Sequence, residues 1–146
     1  MITTQAFPTI RAIQRDAWND CFPGALEDWD YYLAVENAAI DDFQWRYLAV
    51  FEDQTLVAVA AAFITHYRLD TTLSGAGKRL TERLERLWPG VLQLALYAIG
   101  SPVAERCDAG VASHVAESRR PLLLQQLLAA ARSDANALGI GLLAVK

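Results

Sequence analysis

Residues 91–99, Val91-Leu92-Gln93-Leu94-Ala95-Leu96-Tyr97-Ala98-Ile99, lead through Gly100-Ser101-Pro102 into an irregular stretch, Val103 to Glu117. Ser118-Arg119-Arg120-Pro121-Leu122 follows, and the chain closes with Ile140 to Val145. The first run is apolar and predicts a strand that Gly100 and Pro102 terminate. Ser118 is a residue type that caps helices, and Pro121 is tolerated in a first turn. Leu124, Leu127, Leu128, Ala131, Ala135 and Leu138 then form an apolar stripe at helical spacing, with Gly139 as a left-handed stop. Ile140 to Val145 predicts a buried strand. Strand, helix, strand in that order is a right-handed crossover, so 91–99 and 140–145 should lie parallel.

Working outward, Trp45 to Phe51 and Leu56 to Tyr67 are rich in aromatic and β-branched residues, separated by Glu52-Asp53-Gln54-Thr55. That pattern predicts an antiparallel hairpin. Ala58 to Phe63 is apolar on both faces, which fits a central strand covered on each side. Before it, Ile10, Ile13, Ala17 and Cys21 predict a helix over 8–21, and Leu26, Trp29 and Leu33 a second over 26–39. Trp29, Tyr31, Tyr32, Trp45 and Tyr47 read as packing residues. Beyond the hairpin, 68–77 is a polar connection in which Asp70-Thr71-Thr72 suits turn chemistry. Residues 78–88 predict a basic helix. The expected architecture is one α/β (α+β) domain over 1–146: a mixed sheet of about four strands, with hairpin and parallel unit flanked by helices.

Composition narrows the function. The 146 residues are 53% hydrophobic, and their longest unbroken apolar run, Leu56 to Ile64, is too short to span a membrane. Residues 1–55 carry ten acids and three bases, whereas 56–146 carry seven acids and ten bases. A formal net charge of −4 argues against nucleic acid as the main partner; the basic half reads first as solvated arginines on helix surfaces, and second as a site suited to a small phosphorylated ligand. Met1-Ile2-Thr3-Thr4-Gln5 has no secretory character, and Cys21 and Cys107 fit neither a metal nor a disulfide framework. These features predict a cytoplasmic protein with two reduced thiols. Eleven Arg against two Lys, with abundant Ala, reads as a bacterial coding bias.

No high-specificity catalytic motif is present, and His66 and His114 lack the neighbours a metal centre needs. The chemistry concentrates at the strand exit and the helix start. A helix N-terminus offers free amides and a positive dipole, and Arg119 and Arg120 add two guanidinium groups there. Two readings stay open: an anion site, or arginines that meet Glu117 and solvent.

The order of elements resembles the front portion of a GNAT-type N-acyltransferase. Ala17-Trp18, Asp28-Trp29-Asp30-Tyr31-Tyr32, Tyr67-Arg68-Leu69-Asp70-Thr71-Thr72, Gly100-Ser101-Pro102-Val103-Ala104-Glu105 and Gly141-Leu142-Leu143-Ala144-Val145-Lys146 resemble a bacterial GNAT-like subgroup related to FemAB-type cell-wall acyltransferases. The resemblance implies acetyl-CoA or another acyl-CoA as co-substrate, bound where the fourth and fifth strands splay. It places Gly100, Ser101 and Val103 at the cofactor, and Ser118, Arg119, Arg120 and Leu122 in the pyrophosphate loop. The acceptor it implies is a small-molecule amine or a cell-wall-related group, with no metal. This chain departs from the pattern at Arg119-Arg120-Pro121-Leu122-Leu123, which has no glycine, and Pro121 removes an amide. It also ends after the fifth strand, where the superfamily continues with a helix and hairpin. No catalytic acid can therefore be carried over, and Glu105 is the one base candidate. The alternatives are a non-catalytic module that binds a ligand or partner or forms a homodimer through its last strand, and a transferase using an aminoacyl donor.

Overall fold

In the computed structural model, which describes residues 1–68, 93–103 and 109–146, the predicted hairpin joins β2 (Phe43–Glu52) to β3 (Thr55–Arg68). Asp53 and Gln54 turn the chain with φ of 48° and 70°, the left-handed pair that a two-residue hairpin turn requires. β3 is buried on both faces, as its alanine-rich run predicts. Ala58, Ala60, Ala62 and Ile64 pack on one side, and Val59, Ala61 and Phe63 on the other.

A strand at Ile2–Phe7, β1, pairs antiparallel with β2, and the sequence did not announce it. Thr3, Thr4 and Gln5 are exposed along this edge, so it lacks the apolar alternation of a half-buried strand. The helix expected over 8–21 is instead a 3-10 turn at Ile10–Ala12 and a short α1 (Arg15–Asp20). The second helix, α2 (Trp29–Asn37), is capped by Asp28, whose carboxylate accepts the Tyr31 N–H at 2.9 Å.

β4 (Gln93–Ile99) pairs antiparallel with β3 and, as predicted, parallel with β6 (Leu142–Val145). A three-residue strand, β5 (Ala109–Val111), also pairs with β3. Among the described residues the sheet therefore has six strands rather than about four, in the order β1-β2-β3-β4-β6, with β5 off that path. Between β4 and β6 runs α3 (Arg120–Ala137), and Gly139 stops it at φ 71° as expected. Its cap differs from expectation. Ser118 lies inside a 3-10 turn, Glu117–Arg119, and Arg119 stands at the cap with no side-chain bond to the helix.

The sheet divides the core. α3 covers one face through Leu123, Leu127, Ala130, Ala131 and Ala135; of the predicted stripe, Leu124 and Leu138 are exposed instead. On the other face Trp18, Tyr32, Trp45 and Tyr47 form an edge-to-face cluster beneath α1 and α2. Trp29 and Tyr31 pack at its rim. Gly110 lets β5 approach the end of α1: a Cβ there would meet the Cys21 carbonyl oxygen at 2.7 Å. The predicted connection 68–77 (beyond Arg68), the predicted helix 78–88, Glu105 and Cys107 lie outside the described residues.

Candidate ligand cleft

One strand supports two partners that part company. β3 pairs with β4 from Ala62↔Ile99 to Arg68↔Gln93, and with β5 from Ala58↔Val111 to Ala60↔Ala109. β6 follows β4 alone, ending at Ile99↔Val145. Beyond Ile99 the chain turns away at Gly100, whose φ is 122° and whose N–H bonds the Ala61 carbonyl at 2.8 Å. The sheet consequently opens between β5 and the end of β6.

A cavity of about 390 Å³ occupies that opening. Ala60 and Ile99 line it from the sheet, Ala109 and Val145 from the two diverging strands, and Leu124, Leu127 and Leu128 from α3. Arg120 completes the wall at the start of α3. The exposure of Leu124, out of place in a core stripe, is explained by this position. Among the described residues the lining is apolar except for the Arg120 guanidinium, which makes no ion pair with another described residue.

The structure distributes the predicted binding residues unevenly. Arg120 lines the cavity; Gly100, Ser101, Val103, Ser118, Arg119 and Leu122 are not among its described walls. Ser101 is 1% exposed, and its hydroxyl accepts the Val103 N–H at 3.4 Å. Its carbonyl and that of Pro102 accept from the Lys146 ammonium at 2.8 and 3.3 Å. Val103, Ser118 and Leu122 face solvent. Arg119 is held by Glu52, at 2.8 and 3.0 Å to its two carboxylate oxygens. That pairing answers neither of the two readings left open, since the partner is Glu52 rather than Glu117. The expected fan of free amides is also reduced. The N–H of Arg119 bonds the Ala116 carbonyl at 2.9 Å, that of Arg120 bonds Glu117, and Pro121 has none.

Two polar groupings escaped the sequence reading. Asp134 on α3 accepts from Arg46 Nε at 2.7 Å, from a second Arg46 nitrogen, and from the Tyr97 hydroxyl at 2.9 Å. The Arg46 and Asp134 side chains are only 16% and 13% exposed. Hydrogen bonding to Asp134 is the main cause that raises the Arg46 pKa. At the end of α1, Asp20 accepts the Ser113 hydroxyl at 2.6 Å and the Ser113 N–H at 3.1 Å, with His114 Nδ1 at 3.9 Å. Those bonds hold the Asp20 carboxyl below its usual range. Each grouping joins residues far apart in sequence, so no local spacing signals it. Among the described residues no cluster of His, Cys, Asp and Glu could hold a metal ion, and no helix is long and apolar enough to cross a membrane.

No protein-family model matches the chain, and no curated protein matches it in sequence. Solved structures do. The aminoglycoside N-acetyltransferase AAC(6')-Iy in complex with CoA superposes with a TM-score of 0.51 at 12% identity, covering 100% of this chain and 76% of that one. An aminoglycoside acetyltransferase from an uncultured soil metagenomic sample gives 0.46 at 16% identity, over 100% and 79% of the two chains. At such identity the likeness to the first is one of architecture alone: the chain has a GNAT-like fold, a mixed sheet with one parallel pair, flanked by helices.

Proposed function

We propose that this chain binds an acyl-CoA in the cleft between β5 and β6 and transfers the acyl group to an amine. The observation that carries the reading is the cleft itself, an apolar slot opened by strand divergence, with the Arg120 guanidinium on its wall and unpaired among the described residues. A ligand with a flexible, weakly polar arm and an anionic head matches it. The slot would take the pantetheine arm, and Arg120 would meet phosphate, which a planar guanidinium recognises well. Ile99, at the end of β4, would line the slot from the sheet. The fold shared with an acetyltransferase supports the same assignment.

The protein's contribution would be to hold thioester and amine together, converting a bimolecular encounter into a unimolecular step. The new N–C bond replaces the thioester C–S bond, CoA leaves as its thiol, and the amine gives up one proton. The acceptor we propose is a small amine or a cell-wall-related amino group.

Calorimetry with acetyl-CoA and longer acyl-CoAs tests the binding. Saturable heat and a raised melting temperature are expected; no heat and no thermal shift at millimolar ligand would overturn the reading. Release of free CoA thiol in the presence of an amine panel tests the transfer. Saturable binding without thiol release would identify a ligand-binding module instead of an enzyme.

A further inference from the structure

We propose that Glu52 withholds Arg119 from the cleft, so that of the two neighbouring arginines only Arg120 holds the diphosphate of the ligand. This rests on the cofactor reading above and adds a division of labour to it. In the sequence Arg119 and Arg120 are equivalent, two guanidinium groups at one helix start. In the structure they face different tasks. Both terminal nitrogens of Arg119 meet both oxygens of Glu52, the forked geometry that makes the strongest arginine–carboxylate contact. Arg120 has no such partner among the described residues and stands on the cavity wall.

Glu52 cannot follow Arg119 toward a ligand. It is the last residue of β2, paired across to Ile2 on one side and to Thr55 on the other. Recruiting Arg119 to a phosphate would break two charged hydrogen bonds and leave a carboxylate unmatched beside an anion. The mutual hold also shows in the two ionisations: Glu52 is kept below its usual range and Arg119 above its own, each chiefly by the hydrogen bonds between them. The main chain offers only a reduced cradle at this point, because the Arg119 and Arg120 amides are satisfied and Pro121 lacks one. Of these two arginines, one guanidinium is thus left for two phosphates. Glu52 sets the strength of the anion site without touching the anion.

Titrating CoA and, separately, inorganic pyrophosphate into the wild type and three variants tests this, with melting temperatures as the folding control. Arg120→Ala should weaken CoA binding about tenfold or more, the loss of a charged hydrogen bond. Arg119→Ala should lower the melting temperature while shifting CoA affinity less than about threefold, the range of a partly exposed ion pair that bears on the ligand only indirectly. Glu52→Gln should tighten CoA binding about threefold or more, by removing a negative charge and loosening Arg119. The double variant Glu52→Gln, Arg120→Ala should recover part of the Arg120→Ala loss. Equal losses in the two arginine variants, or no tightening with Glu52→Gln, would overturn the proposal. A wild type that binds no CoA would overturn the cofactor reading. The arginine assignment is then decided by pyrophosphate: the same ranking upholds it and flat titrations overturn it.

Discussion

Asp134→Ala should be among the most damaging single substitutions far from the cleft. Asp134 receives three donors, two from Arg46 and one from Tyr97, and so clamps α3 onto β2 and β4. Truncating it leaves the Arg46 guanidinium, a side chain 16% exposed, without a counter-charge. Breaking a buried pair in this one-sided way costs about 3–5 kcal/mol. A small cavity of about 180 Å³ beside Asp134, lined in part by Thr4, Gln5 and Ser133, gives water some access. The lower end, about 3 kcal/mol, is therefore expected, or a drop of ~10 °C in melting temperature for a chain of this size. Tyr97→Phe should cost less, about 1–2 kcal/mol, because the ion pair survives. Replacing both charges, Arg46→Met with Asp134→Leu, should restore most of the lost stability. Urea unfolding followed by far-UV circular dichroism measures all three. An Asp134→Ala loss under about 1 kcal/mol, or a double variant as unstable as Asp134→Ala alone, would refute the clamp.

Gly110→Ala should destabilise by about 1–3 kcal/mol, since its Cβ would press on main-chain and side-chain atoms of Cys21 and Phe22; a wild-type urea midpoint would contradict this. Asp20→Asn should lower the melting temperature at neutral pH. A carboxyl with a depressed pKa contributes stability above its unfolded value and loses it as the pH falls through the folded one. The gap from wild type should therefore close in acid, and a gap independent of pH would count against the Ser113 contact. Burial, and secondarily the Asp20 charge, push the Cys21 thiol up to about 12. In a Cys107→Ser background Cys21 should resist Ellman's reagent at pH 8 until urea unfolds the chain, and rapid native labelling would contradict its burial.

The elements that were legible in the sequence owe their shape to nearby residues. The β2–β3 hairpin follows from alternating aromatics around a short polar turn, and the stop of α3 from Gly139. The parallel pairing of β4 and β6 follows from a crossover rule that needs only their order. β1 was illegible because an edge strand can afford Thr3, Thr4 and Gln5 on its surface. β5 was illegible because three residues carry no period. The α3 stripe shifted because Leu124 serves the cleft, leaving Leu123 and Leu127 to fill the core. At the candidate site, proximity to the helix start pointed to Arg119 and Arg120 together, of which Arg120 lines the cavity. Arg119 could not be separated from it, since its partner Glu52 lies on another strand and long-range ion pairs leave no trace in spacing.

The shared strand β3 has a consequence for the order of assembly. β2 meets β3 across two residues, and β1 meets β2 without any partner from the second half of the chain. β6 reaches β4 only once α3 has been laid down between them, a far longer closure and a slower kind of contact. The cleft lies between the C-terminal strand β6 and the three-residue β5, so it exists only when both have paired with the sheet. A ligand that fits it would recognise completed molecules and leave partly folded ones alone. Through mass action, its concentration would then set how large a fraction of the chain stays folded.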